Sequence, residues 1–366
     1  MKYTDEYRNP QIARRLIEEI RERASRPLRI MEFCGGHTHA IMRYGIRDAL
    51  DPQVKMLSGP GCPVCVTADV DIDRAVALAR LPDVTVATFG DMVRVPGTRS
   101  SLQEATAAGA DVEIVYSALD ALALARKDPQ RQVVMLGIGF ETTAPTVAAS
   151  LVEAQESGVD NYHVYALHKL TPPAMRGILD AGEVRLDAVL GPGHVTAITG
   201  WEAWNFLPQE YGIPCAVSGF EPLDILQAVL DLIGAREEDD PRVANTYSRG
   251  TRAEGNLVAK ALMERVFRVS PALWRGLGEI PQSGLTLRSA YAAHDASQLF
   301  DRLPPLDKGG PSPEERGCRC GEVLRGVAAP PECPLFGEAC TPARPVGPCM
   351  VSAEGACAAY YRYRSA

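Results

Sequence analysis

The sequence predicts an α/β fold with two doubly wound parallel-sheet lobes and a third region that is mainly helical or irregular and rich in cysteine. Short apolar runs recur along the chain and end at polar, glycine-rich turns. Helical stretches rich in Ala, Leu and Arg separate these runs, and this alternation is typical of parallel sheets. Six of the ten cysteines lie in a Gly/Pro-rich tail after residue 317.

The order of the elements suggests the domain boundaries. Apolar residues at helical spacing among Arg and Glu predict a surface helix around residues 12–20. We expect residues 27–118 to form the first lobe and residues 119–230 the second. Residues 1–26 and 231–366 then form the third region, with helix at 243–267 and a Pro/Gly-rich linker at 303–313. Strands are expected in the apolar runs 28–33, 54–57, 84–89, 112–116, 133–138, 162–167, 188–190 and 214–217.

Composition restricts the classes of partner. The chain has 366 residues, of which 46% are hydrophobic and 23% charged, as is ordinary for a globular protein. A net charge of −8 gives no general attraction to nucleic acid or to an anionic membrane. The N-terminal segment lacks the apolar core of a signal peptide, and no apolar stretch reaches the length of a membrane span. We therefore expect a cytoplasmic protein with no nucleic-acid or membrane partner, in which thiols stay reduced.

The sharpest local motif is Cys62-Pro63-Val64-Cys65, which follows an expected strand. Two residues between cysteines suit either a disulfide or two ligands on one metal ion. The position after a strand resembles that of thioredoxin-type redox motifs. Half of a zinc knuckle is the alternative, although no second cysteine pair nearby completes a tetrahedral site.

A second motif, Cys34-Gly35-Gly36-His37-Thr38-His39, follows another expected strand. In an extended segment His37 and His39 would face the same side. If the two strands are neighbours in one parallel sheet, Cys34 lies close to Cys62 and Cys65. Three soft ligands without an obvious fourth would form an open site for iron.

Further polar side chains follow other expected strands. Glu141, in Gly139-Phe140-Glu141-Thr142-Thr143, is a candidate proton donor, proton acceptor or partner-binding group. His194 and Glu221 lie at equivalent strand ends and are candidates for the same roles. Thr142 or Thr143 is expected to cap a helix that begins near Pro145.

The tail carries Cys318, Cys320, Cys333, Cys340, Cys349 and Cys357. Six cysteines are more than the four thiolates that an iron–sulfur cluster needs. Their spacing matches no common ferredoxin pattern, so spacing alone does not select the ligands. Structural zinc remains an alternative at this point.

Taken together, these motifs resemble the HypD family of [NiFe]-hydrogenase maturation proteins. The resemblance extends in order over nearly the whole chain. It is carried by residues 34–39, 59–65, 139–143, 191–194, 218–221 and 354–361.

The resemblance implies a scaffold and redox centre on which the Fe(CN)2CO group of the hydrogenase is assembled. It implies that Cys34 binds the iron and that Cys62 and Cys65 form a redox-active pair. It also implies a [4Fe-4S] cluster in the tail, and the ligands we favour are Cys318, Cys333, Cys340 and Cys357, with Cys320 and Cys349 as substitutes. The implied partners are a small HypC-type chaperone and the HypE–HypF pair, which supplies cyanide.

Two other functions remain open at this point. One is a free-standing thiol-disulfide oxidoreductase that couples an iron–sulfur cluster to the Cys62/Cys65 dithiol, resembling ferredoxin-dependent thioredoxin reductases. The other is a non-enzymatic zinc protein with a structural tail. Metal analysis and assays on small disulfides distinguish them from the maturation scaffold.

Overall fold

The computed structural model describes residues 5–304 and 311–363 and confirms the α/β class. The predicted linker at 303–313 falls partly on residues 305–310, which lie outside the described residues. The strands are β1 (Leu28–Glu32), β2 (Val54–Ser58), β3 (Val84–Thr88), β4 (Val112–Ile114), β5 (Gln132–Gly137), β6 (Tyr162–Ala166), β7 (Ala188–Pro192), β8 (Cys215–Ser218), β9 (Val243–Asn245), β10 (Phe267–Trp274) and β11 (Gly278–Leu287).

Fifteen α-helices lie within the described residues, together with several short 3-10 helices. They are α1 (Pro10–Arg23), α2 (Gly35–Arg43), α3 (Ile46–Leu50), α4 (Pro63–Val66), α5 (Asp69–Ala79), α6 (Leu102–Ala107), α7 (Ala118–Lys127), α8 (Ala144–Glu156), α9 (Thr171–Ala181), α10 (Gly193–Thr199), α11 (Phe206–Tyr211), α12 (Pro222–Glu237), α13 (Leu257–Val266), α14 (Cys320–Leu324) and α15 (Ala356–Tyr363). In this part of the chain no helix has both the length and the apolar character needed to cross a membrane.

Two parallel sheets form the framework. The first has the strand order β2-β1-β7-β8-β9 and the second the order β4-β3-β5-β6. Strands such as β3 are buried along their whole length, as expected when helices cover both faces of a parallel sheet. All eight strands that the sequence predicts are present.

The grouping of strands into sheets differs from the order along the chain. The first sheet takes β1 and β2 from the N-terminal part and β7 to β9 from residues 188–245, while β3 to β6 form the second sheet. Each sheet therefore crosses the expected boundary between residues 118 and 119. Apolar runs buried on both faces look alike in sequence, so their rhythm does not show which strands pair.

The region after residue 231 contains more strand than expected. Residues 243–245 form β9 and helix begins only at Leu257, so the expectation of helix from residue 243 is wrong for its first part. Residues 267–287 form the antiparallel hairpin β10–β11, which the sequence analysis missed. The hairpin has a register shift between Ser270 and Ala272, around Pro271, and this irregularity obscures the alternation that marks a strand.

The topology places ligand-binding edges opposite each other. In the first sheet the strand order reverses between β1 and β7, and in the second it reverses between β3 and β5. Open α/β sheets bind ligands outside the carboxyl ends of their strands at such switch points. The segments that follow these four strands all line one cavity.

Candidate functional site

A cavity of about 500 Å³ lies between the two switch points, and we call it the cleft. Its wall comprises Cys34, Gly61, Pro63, Val64, residues 89–92, residues 138–140, Thr142, Thr143, His194, Val195 and residues 352–354. Each lobe therefore contributes its carboxyl edge, and the C-terminal tail closes one side. This size is typical of pockets that bind small molecules.

Cys34 is the thiol that faces the cleft. It precedes α2, and its backbone N–H donates to Glu32 Oε2 at 2.9 Å. Burial, with Glu354 and Glu32 nearby, raises the pKa of the Cys34 thiol to about 12. The thiol is thus protonated near neutral pH, and a metal ion that binds there must displace the proton.

The neighbouring strands bring Cys34 close to the Cys62/Cys65 motif, as the sequence predicts. β1 pairs in parallel with β2, so that Glu32 lies opposite Ser58. The Gly35 N–H donates to the Gly61 carbonyl oxygen at 3.0 Å, which joins the two loops directly after the strands. The sheet therefore places the three sulfur-bearing residues together.

Cys62 and Cys65 form a disulfide, with their Cα atoms 5.3 Å apart. Cys62 is 3% exposed and Cys65 is fully buried, so the pair lies behind the cleft wall formed by Pro63 and Val64. The Cys65 N–H approaches Cys62 Sγ at 3.3 Å. This contact would stabilise a thiolate on Cys62 after reduction.

The two histidines after Cys34 do not face the same side. Residues 35–43 form α2 rather than an extended segment, so positions two residues apart point in different directions. His37 is buried and shares a hydrogen bond of 2.8 Å between Nε2 and the Gly219 carbonyl oxygen. Tyr363 Oη lies 3.2 Å from His39 Nε2. Both histidines are held by protein contacts.

His194 is the histidine that lines the cleft. Phe220 lies between two imidazoles, with its ring centroid 4.0 Å from that of His194 and 4.5 Å from that of His37. Burial lowers the pKa of His37 to about 4 and also lowers the pKa of His194. Both rings are therefore neutral near pH 7, and a neutral His194 can donate one N–H to a ligand.

Glu141 and Glu221 lie outside the cleft wall and contact other parts of the chain. Glu141 is buried and accepts hydrogen bonds from the Thr171 N–H at 2.8 Å and from Thr171 Oγ1 at 3.0 Å, at the start of α9. Burial raises its pKa to about 7. Arg8 binds Glu221 through two guanidinium nitrogens. Neither carboxylate belongs to the wall of the cleft.

Glu354 is a cleft residue to which the sequence analysis gave no role. It lines the wall near Cys34, and partial burial together with Asp91 raises its pKa. A Cβ added to Gly35 would overlap Glu354, so the tail packs directly on the Cys34 loop. The contact joins residues 319 positions apart, and no local pattern indicates such a pairing.

The tail cysteines separate into two sets. Cys320 and Cys349 form a disulfide with Cα atoms 6.4 Å apart. The remaining thiols, which we call the cysteine quartet, interact electrostatically: Cys357 with each of the others, and Cys318 with Cys333 and Cys340. The quartet consists of Cys318, Cys333, Cys340 and Cys357, the set favoured from the sequence.

The quartet has the chemistry of a cluster site. Burial and mutual repulsion raise the pKa values of Cys318 and Cys357, so four adjacent thiolates require a compensating cation such as iron. Among the described residues, no group of three or more His, Cys, Asp or Glu side chains has the geometry to hold a single metal ion. An iron–sulfur cluster takes four thiolate ligands, and the quartet supplies four neighbouring thiols.

The site and fold define an α/β scaffold with a thiol in a cleft between two sheets and a cysteine-rich tail. The HypD family model, described as "Hydrogenase formation hypA family", matches residues 11–364. The hydrogenase maturation factor HypD2 of Bradyrhizobium diazoefficiens is 46% identical over 99% of this chain and 97% of its own length. HypD of Escherichia coli is 45% identical over 100% of this chain and 98% of its own length. The chain therefore belongs to the HypD family of hydrogenase maturation factors.

Proposed function

We propose that this protein is the scaffold and redox centre on which the Fe(CN)2CO group of a [NiFe]-hydrogenase is assembled, with Cys34 as an iron ligand. The observation that carries the proposal is the position of Cys34 at the β1/β7 switch point, inside the cleft and next to the Cys62/Cys65 loop. Low-spin iron with cyanide and carbonyl ligands accepts thiolate donors well. The iron group is the cargo of this site.

The residues around Cys34 suit this role. Iron binding releases the thiol proton, and Glu354 in the same wall is a nearby acceptor whose raised pKa favours protonation. His194 can donate its N–H to the nitrogen of a bound cyanide. Apolar side chains, among them Ile138 and Phe140, exclude water from much of the wall.

The Cys62–Cys65 disulfide provides the redox function of the proposal. Its reduction consumes two electrons and two protons and yields two thiols beside Cys34. The hydrogen bond from the Cys65 N–H favours Cys62 as the thiolate, and hence as the sulfur that can join the iron. Oxidation back to the disulfide returns two electrons and withdraws that ligand.

The cysteine quartet would hold a [4Fe-4S] cluster. A cluster bound there supplies single electrons. Cys349, one end of the Cys320–Cys349 disulfide, directly follows Gly347 and Pro348 in the chain. Gly347 packs against Cys318, since an added Cβ would come within 2.5 Å of its Sγ, and the Pro348 carbonyl oxygen lies 4.0 Å from Cys65 Sγ. This arrangement favours a route for electrons from the tail to Cys62 and Cys65.

The proposed partners are a HypC-type chaperone, which shares the iron through its N-terminal cysteine, and the HypE–HypF pair, which supplies cyanide. While Cys62 and Cys65 are joined, Cys34 is the one free thiol among the residues of the cleft wall, so a second thiolate ligand would come from outside the chain. A chaperone cysteine fits that need. The proposed compartment is the cytoplasm.

The test is the Cys34→Ala variant, purified without oxygen together with the HypC-type chaperone. We expect the infrared bands of iron-bound cyanide and carbon monoxide to disappear, while the visible absorption of the tail cluster stays. Cys215→Ala, which removes a buried thiol from β8, is the matched control and should keep the bands. Bands that persist in Cys34→Ala would remove Cys34 from the iron site.

A thiol-disulfide oxidoreductase is the second candidate, and the two disulfides beside the cysteine quartet favour it. A free-standing oxidoreductase needs an accessible sulfur, whereas Cys62 and Cys65 are almost fully buried. Rapid reduction of a small disulfide by the reduced protein would support this candidate. The scaffold function instead predicts slow reduction.

A further inference from the structure

A second cavity, of about 420 Å³, shares no wall residue with the cleft. It lies between the N-terminal part of α5, the segment that follows β6, and the hairpin β10–β11. Much of its wall is apolar, including Leu167, Leu273 and Leu285. The volume exceeds that of a single ion and falls within the range of small-molecule pockets.

Lys169 gives this cavity a buried cation. Its side chain lines the wall although the residue is only 3% exposed. Its backbone is fixed by a hydrogen bond of 3.0 Å from the Lys169 N–H to the Gly139 carbonyl oxygen. Within the described residues its ammonium group makes no hydrogen bond or ion pair, and the charge that acts on it favourably is that of Asp71. Desolvation of an ammonium that has no hydrogen-bond or ion-pair partner is costly, and an anion bound in the cavity would offset this cost.

The one carboxylate in the wall, Asp71, acts on Lys169 electrostatically, but its hydrogen bond and its ion pair are made with other groups. Asp71 accepts a hydrogen bond of 2.6 Å from Tyr165 Oη and lies 3.5 Å from the Arg74 guanidinium group. Arg74 and Asp71 cancel in charge, which leaves the charge of Lys169 unbalanced. The wall thus carries one net positive charge.

His168 adds a second polar side chain that has no hydrogen-bond partner among the described residues. It belongs to the same wall, is 1% exposed, and both ring nitrogens lack hydrogen-bond partners. Burial lowers its pKa to about 3, so the ring adds no charge. Two consecutive buried polar residues are therefore left unsatisfied beside one cavity.

We propose that this second cavity binds a small organic monocarboxylate, whose carboxylate pairs with Lys169 and whose apolar body packs on the leucine-lined wall. A single negative charge matches the single unbalanced positive charge. A phosphate dianion would carry an excess charge next to Asp71 and would leave the apolar wall uncovered. The inference does not depend on the role proposed for Cys34.

The experiment measures isobutyrate binding to the full chain by calorimetry and by NMR, with inorganic phosphate as a second probe. Lys169→Met keeps the length of the side chain and removes its charge, and it should weaken isobutyrate binding at least tenfold. Lys127→Met, on the exposed end of α7, should leave the affinity unchanged. Removal of an unpaired buried charge should not lower the melting temperature.

A second variant, Arg74→Met, tests the proposal if Lys169→Met does not fold. Arg74 is a partly exposed residue, with 39% of its side chain accessible. Arg74→Met leaves Asp71 free to compete for Lys169 and should also weaken isobutyrate binding. Any of three results would overturn the proposal. The first is an isobutyrate affinity that is unchanged in both variants, and the second is the absence of saturable isobutyrate binding to the wild-type chain. The third is tighter binding of phosphate than of isobutyrate.

Discussion

Gly61 packs directly against the backbone of Cys34. A Cβ at position 61 would overlap the nitrogen and Cα atoms of Cys34. The contact is possible only with glycine, and it sets the separation between the loops that follow β1 and β2. The spacing between the cleft thiol and the Cys62/Cys65 pair therefore depends on a residue that has no side chain.

Gly61→Ala should separate these two loops without removing any sulfur. We expect a loss of about 1–3 kcal/mol in the free energy of unfolding, because the added methyl group overpacks the site. We also expect loss of the cyanide infrared bands in the complex with the chaperone. Urea denaturation and infrared spectroscopy measure the two effects.

Gly90→Ala is the control for this change. Gly90 also lies in the cleft wall, but an added Cβ would meet only Ile114 Cγ2, at an ordinary distance of 3.8 Å. This variant should keep the wild-type free energy of unfolding and the infrared bands of iron-bound cyanide. If Gly61→Ala kept the bands at wild-type intensity, close contact of the loops would not be required for iron binding.

The cysteine quartet predicts which tail residues hold the cluster. Cys333→Ser should lose most of the bound iron and acid-labile sulfide, because a serine hydroxyl is a poor ligand for iron in a cluster. The double variant Cys320→Ser/Cys349→Ser should retain both, since these residues are bonded to each other. Iron and sulfide analysis after anaerobic purification measures the difference.

An equal loss of iron in the two variants would argue against the quartet as the ligand set. Zinc without iron or sulfide in the wild-type chain would identify the tail as a structural zinc site. The comparison is informative because all the altered residues lie in the same tail.

Glu141 should make stability depend on pH. Its folded pKa of about 7 lies above the ordinary value of 4.5 for a glutamate, so the folded state binds the proton more tightly than the unfolded state does. The stabilisation is complete below pH 4.5 and is lost as the pH rises through 7. Relative to Glu141→Gln, the wild-type chain should lose about 3 kcal/mol of unfolding free energy across this interval. Urea denaturation of both chains at a series of pH values gives the difference, and a constant difference would contradict the assignment.

Phe220 should control the protonation of both neighbouring imidazoles. Phe220→Leu removes the ring that lies between His37 and His194 and admits water. The pKa of His37 should rise from about 4 toward its ordinary value, and the pKa of His194 should rise with it. NMR titration of the imidazole protons measures both values. Phe206→Leu, which alters a ring packed on Tyr211, should leave them unchanged, and a similar shift in this control would point to a general loosening of the fold.

The sequence predicted the parts of the site that depend on local pattern. Each buried strand was recognisable as an apolar run, and glycines marked the turns after β1 and β2. The adjacency of these two strands then places Cys34 beside Cys62, as the pairing of Glu32 with Ser58 shows. These inferences need only the geometry of a parallel sheet.

Other features depend on contacts between distant parts of the chain. The Glu141 side chain is oriented by its hydrogen bond with Thr171, which lies on α9. The position of Glu354 is set by packing of the tail on Gly35. The pairing of Cys320 with Cys349 requires the folded tail. The hydrophobic pattern within one segment does not indicate which distant residues it will contact.

The interleaved strand order has a consequence for synthesis of the chain. The second sheet is complete once residue 166 has been made, whereas β1 and β2 must wait for β7, which begins at residue 188. Domains fold as units while the ribosome extends the chain. The edge that carries Cys34 is therefore finished after the lobe that faces it, and Glu354 is added later than both sheets. A nascent chain that has not yet made these segments lacks the complete pocket around Cys34.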